Sequence, residues 1–165
     1  NPAAGASSIA SIFPQVHPDI LSLVLRHELR AEDLYKLDFR FRAEQESDLP
    51  LTVRNGLLRY AGTEVGTRYK TPDSIIHPFL NYITIISSLV IPAGNGLVVI
   101  AALNEYLHQL LRHSWEYEWP AVVAYHMAFW AYRCHEMRAG DYSRWAIVDQ
   151  HLHSVHLLNH IKRSH

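Results

Sequence analysis

Residues 119–145, WPAVVAYHMAFWAYRCHEMRAGDYSRW, constrain this chain more than any other stretch. Between 121 and 132 the one strongly polar residue is His126, so winding the segment at about 100° per residue leaves almost no face for water. A helix that is apolar around its circumference needs neighbours on every side. The segment is therefore the expected centre of a helical domain or of an assembly. Trp119 and Pro120 suit its first turn, and Gly140, following Arg138 near the negative pole, suits its stop.

The flanking sequence repeats the helical period. Pro18 and Asp19 open a helix whose apolar stripe is Ile20, Leu21, Val24, Leu25 and Leu29. A second short helix is expected from Ala31 to Phe41 on Leu34, Leu37 and Phe41. His77 and Pro78 read as the opening of a third, with Phe79, Ile83, Ile86 and Val90 on one face, ended by the PAGNG at 92–96. Leu97 to Ser114 places Ile100, Leu103, Leu107, Leu110 and Leu111 on one side and Glu105, His108, Gln109 and Arg112 elsewhere. From Ser143 to Ile161, with Asp141 or Ser143 as cap, Ile147, Val148, Leu152, Val155 and Leu158 share an arc opposite His153, His156 and His160.

The middle behaves differently. LPLTVRNGLLRY sets Asn55-Gly56 between two apolar runs, the signal of a short β-hairpin, with a loop as the other reading. Gly62, Gly66 and Thr71-Pro72-Asp73 prolong an irregular connector that is long for a compact domain. The expected fold class is all-α: a compact helical bundle of about five to six helices with an irregular middle segment able to hold that hairpin. The expected layout is a flexible lead-in at 1–17 and a single helical domain over 18–165, with 42–72 as the irregular insert.

Composition narrows the function classes. A length of 165 residues with 48% hydrophobic content suffices for one core. A formal charge of −1 argues against the basic field that phosphate-backbone binding requires, although twelve histidines would add charge on mild acidification. Cys134 is the sole cysteine, so neither an internal disulfide nor a multi-cysteine zinc site can form, and an intracellular, cytoplasmic setting is expected. The opening NPAAGASSIAS lacks the features of a signal peptide. His77, Pro78, Asn81, Pro92 and Asn95 interrupt the apolar run 75–103 before it reaches a membrane-spanning length, so no membrane partner is expected.

Candidate chemistry is sparse. His156 and His160, one turn apart with His153 on their face, have chelating spacing, but nothing local supplies the further ligands of a zinc site. Cys134, His135 and Glu136 are adjacent, so they point about 100° apart on a helix and form no dyad. His126 reads as a hydrogen-bonded core histidine, with Arg133 two turns along serving the same polar pocket. Gly94-Asn95-Gly96 follows a helix and lacks a lysine, so it reads as a turn and not a phosphate cradle. The aromatic set Trp115, Tyr117, Trp119, Tyr125, Phe129, Trp130, Tyr132, Tyr142 and Trp145 reads mostly as core, the remainder as an interface anchor. No catalytic, cofactor-binding or metal residue is assigned, and no small-molecule substrate is expected.

The order FPQVHPDILSLVLRHELRAEDLYKLD at 13–38, then LNEYLHQLL, WPAVVAYHMAF, RCHEMRAGDYSRW and DQHL, resembles Gag-like proteins encoded by fungal retroelements. That resemblance implies a helical, self-associating structural protein that accompanies a retroelement's RNA, a homo-oligomer with RNA contact supplied by flanking regions. The chain departs from the wider pattern in having no CCHC zinc knuckle and no QxxxE-type capsid motif. Two other readings stand beside it. One is a helical nucleic-acid-binding module of the recombinase N-terminal type, with Arg26, Arg30, Lys36, Arg40 and Arg42 on one surface. The other is a metal-dependent enzyme using the late histidines.

Overall fold

The structure, a computed structural model, describes residues 9–41, 51–54, 57–60 and 65–163, with the backbone alone given for 51–54 and 57–60. Helix α1 (Pro18–Leu25) starts as its proline and acid dictate, and the His17 ring nitrogen accepts the Asp19 N–H as a cap. It ends where Glu28 N–H reaches Leu23 C=O at 2.8 Å and His27 turns left-handed at φ 59°. That conformation is costly for a residue with a Cβ. It is held by two ties from afar: the Tyr142 hydroxyl on His27 Nε2 at 2.7 Å and an Arg138 N–H donating to His27 C=O at 2.6 Å.

Ala31–Leu37 is a 3₁₀ helix, not the α-helix to Phe41 that spacing suggested, because Asp38 is extended and its carboxylate turns back onto Arg40. Strands β1 (Leu51–Arg54) and β2 (Leu57–Tyr60) pair antiparallel, with Leu51 opposite Tyr60 and Arg54 opposite Leu57. The turn residues Asn55 and Gly56, and the remaining undescribed part of the insert, lie outside the described residues. A single turn, α2 (Val65–Arg68), follows.

Helix α3 (Asp73–Val90) begins four residues before His77, which corrects the expected start. The Thr71-Pro72-Asp73 stretch, assigned to the connector, is its real opening: Ser74 Oγ donates to Thr71 C=O, and Thr71 Oγ1 to the Asp73 carboxylate. Pro78 thus sits inside the helix and forgoes one backbone bond for a buried position. Helices α4 (Gly96–Glu116) and α5 (Trp119–Arg138) form the rest of the frame, and α5 stops at Gly140 with φ 90°, as expected. Gly96 is dictated by space: a Cβ there would lie 2.7 Å from Ile91 Cγ1 and 2.9 Å from Ile91 Cα.

The last expected helix is broken in two. Ser143–Ala146 is 3₁₀, and α6 (Gln150–His156) has its own cap, the Asp149 carboxylate accepting Leu152 N–H at 3.0 Å. The apolar arc changes with it: Trp145, Leu152 and Leu157 are buried, while Ile147, Val155 and Leu158 face out. The lead-in is corrected too. Residues 9–12 form a helical turn, and Ile9, Phe13 and Val16 are buried in the core. The fold is all-α in character, built around α3, α4 and α5, with Ser143–Ala146 packed on α4 and α6 on α5.

The core is aromatic at its centre. Tyr106 and Phe129 stack 4.5 Å apart with ring planes 4° from parallel, and Trp145 meets Phe79, Tyr82, Tyr106, Phe129 and Trp130. Trp145 is fully buried although it belongs to a four-residue 3₁₀ turn. Replacing Trp145 with Ala is expected to lower stability by about 3–5 kcal/mol in a urea denaturation series.

Candidate association surface

Burial decides what the titratable groups can do. His126 is fully buried, its Nδ1 2.5 Å from the Tyr106 hydroxyl and its Nε2 without a partner among the described residues. Loss of hydration pulls it down to about 3. His113 is edge-on to Tyr125 and Tyr117, and burial, then His153 and Arg112, pull it down to about 4. His27 is lowered by burial and by Arg138. Burial pushes the Cys134 thiol up to about 12, which makes it a poor nucleophile. His135 is exposed and turned from it. Arg133 is buried over the Phe129 ring and bridged to Glu136 at 2.7 Å, with Asp149 at 3.8 Å.

The late histidines are divided by the end of α6, with His153 and His156 inside it and His160 beyond. His153 Nε2 lies 2.9 Å from the Tyr117 hydroxyl, and His160, beyond the end of α6, is 3.3 Å from Glu118. Around them the chain doubles back: Glu118 N–H donates to His160 C=O and Lys162 N–H to Glu116 C=O, pairing Tyr117 with Ile161. Among the described residues no group of three His, Cys, Asp or Glu side chains is placed to hold a metal ion.

The basic residues of the nucleic-acid reading are each matched locally. Arg26 meets Glu28, Arg30 meets Glu32, Lys36 meets Asp33 and Arg40 meets Asp38, at 3.4, 3.3, 3.7 and 2.8 Å. Arg42 lies outside the described residues. A mostly apolar cleft of about 350 Å³ opens beside Trp119, lined by Val65, Tyr69 and Val123 with Lys70 as its one charged group. Among the described residues no helix is long and apolar enough to cross a membrane.

The unusual surface is on α4. Its inner face includes Val99, Ala102, Leu103, Tyr106, Gln109, Leu110 and His113, so Gln109 is buried where the simple apolar stripe placed it outside. Gln109 earns its place by donating to Ala146 C=O at 2.7 Å. Turning α4 that way leaves large apolar groups in water at both its ends. Leu97 is 83% exposed and Val98 70%, beside Ile91 at 60% on the α3 corner, and Trp115 at the far end is 70% exposed. From Leu97 to Trp115 is about 27 Å at 1.5 Å per residue. The sequence placed Trp115 in an aromatic set read mostly as core and partly as interface anchor, without saying which members were which. The missed signal is its phase, since it sits 18 positions, five full turns, from Leu97. Helix α5 is also less enclosed than its composition implies, because Ala124, Ala131 and Tyr132 face out.

The depressed histidines carry a pH signature. Their folded values lie below the ordinary 6.5, so the unfolded chain binds more protons, and stability is complete above about pH 6.5 and drains away as pH falls toward 4 and then 3. Urea midpoints should therefore drop between pH 7 and pH 4.5, and His113→Phe, which fits the aromatic site, should make that drop shallower. No protein-family model, curated protein or solved structure matches this chain.

Proposed function

We propose that this chain is a structural, self-associating domain of the Gag or capsid-like kind, acting inside the cell as a homo-oligomer and not as an enzyme. The observation that carries the reading is the exposed apolar set at the two ends of α4, Leu97 and Val98 with Ile91 of the α3 corner at one end and Trp115 at the other, which among the described residues adjoins no group of three metal-ligating side chains. Large apolar residues grouped on a surface mark contact sites, and tryptophan is favoured as an anchor in them. The local pairing of Arg26, Arg30, Lys36 and Arg40 favours this reading over direct nucleic-acid binding, so RNA contact is left to flanking regions.

Sedimentation velocity over a wide concentration range tests it. The weight-average mass should rise with concentration and persist at high salt, because apolar contact is not screened as charge contact is. A mass fixed at that of one chain throughout would overturn the proposal.

A further inference from the structure

The outward face of α4 has an order of its own. Leu97, Ala101, Asn104, His108, Leu111 and Trp115 follow one another at steps of four, three, four, three and four, the spacing of a helix seam. All are exposed except Leu111, which is half-buried, and they lie opposite the face that α4 buries. Asn104 and His108 have no side-chain partner among the described residues. The neighbouring Glu105 and Arg112 are already joined at 2.9 Å. An intact seam of six positions with unengaged polar groups at its middle is what remains after the inner face has made the core.

Its chemistry is graded about its midpoint, level with Tyr106. Two positions away on either side stand the polar pair Asn104 and His108. Five away stand the small Ala101 and the larger Leu111, and nine away the apolar Leu97 and Trp115. We infer that α4 is the contact helix of a two-fold dimer, lying antiparallel against α4 of a second copy, with Asn104 facing His108 of the other chain, Ala101 facing Leu111, and Leu97 facing Trp115. This inference rests on the self-association reading and gives it a geometry.

Residue kind, side-chain volume and helix dipole all favour the antiparallel arrangement. Facing residues match in kind: amide meets imidazole in the middle, where each finds a hydrogen-bond partner, and apolar meets apolar at the ends. Facing residues also match in volume. A parallel pairing would set Trp115 on Trp115 and Ala101 on Ala101, crowding one level and leaving another empty, whereas the antiparallel pairing puts small against large. The helix dipoles then oppose instead of adding. At each end the indole of Trp115 meets Leu97, with Val98 and Ile91 of that same corner beside it, two exposed apolar groups able to close over the ring. A two-fold contact of this kind is self-complementary and closed, so it yields a dimer and not an open chain of copies.

Cysteine pairing reads the geometry directly. The native Cys134 is buried and serves as a silent background. The full chain would be prepared as Asn104→Cys and, separately, as His108→Cys, then mildly oxidised alone and as an equal mixture. Facing positions fall within disulfide reach, whereas each residue and its own symmetry mate are offset by about 6 Å along the axis in addition to the helix separation. The mixture should yield the disulfide-linked dimer and the separate variants little of it. Strong cross-linking of each variant alone, with only dimers of like chains in the mixture, would indicate a parallel contact and overturn the inference.

Leu97→Glu and Trp115→Glu, both at exposed positions, supply the second arm. Each should weaken association about tenfold or more in sedimentation while leaving the circular dichroism of the monomer unchanged. Association of the wild type that neither variant disturbs, with no cross-link in the mixture, would sink the seam and leave the broader reading standing. A wild-type chain that stays monomeric at every concentration would sink both.

Discussion

Four ring side chains, Trp119, Trp130, Tyr69 and Tyr125, each bond a backbone group far away in the chain, and these bonds organise the molecule, whereas the buried Tyr82 hydroxyl and His126 Nε2 have no such partner among the described residues. Trp130 Nε1 donates to Leu29 C=O at 2.8 Å, which pins the chain after α1 to the middle of α5. Trp119 Nε1 donates to Tyr69 C=O at 2.8 Å, and the Tyr69 hydroxyl accepts Tyr35 N–H while reaching the carbonyls of Ala31 and Glu32. The Tyr125 hydroxyl accepts Asp149 N–H at 3.1 Å, setting the start of α6. Burial of the rings supplies the driving force. Their heteroatoms supply direction, because an unpaired buried donor costs far more than a made bond returns.

The same rule explains what could be read in the sequence and what could not. The three long helices were legible, since Phe79, Ile83, Ile86 and Val90, or Val122, Phe129 and Trp130, repeat at the helical period over many residues. The Gly140 stop and the Pro18 start were legible because each depends on a local backbone property. Legibility failed where a distant partner decides. Ser143 to Ile161 has helical spacing, yet Asp149 caps a new helix within it and Trp145 is drawn into the centre, which rotates the apolar arc. Gln109 looks like a surface residue on α4 until Ala146 is placed beside it. The 3₁₀ form of Ala31–Leu37 likewise reflects the Asp38 to Arg40 bonds and not propensity.

For the candidate surface, the sequence named an interface anchor among the aromatics without placing it. Which residues remain outside depends on the rotation of α4 about its own axis. That rotation is set by Tyr106 stacking on Phe129 and by Gln109 reaching Ala146. No stretch of α4 read alone contains that information. The histidines show the reverse case: their grouping in the sequence is conspicuous, while His153 on α6 meets Tyr117 and His160, past the end of that helix, meets Glu118.

The absence of a side chain at Gly96 has one more consequence. With Ile91 pressed against that backbone, the corner between α3 and α4 is seated from its first turn, and Leu97 and Val98 project from a base that is already fixed. Mobile loops that present apolar groups must surrender their freedom when something docks on them. Here that loss has occurred on folding, so a partner docking at this corner would meet a ready-made platform and keep more of its contact energy as affinity.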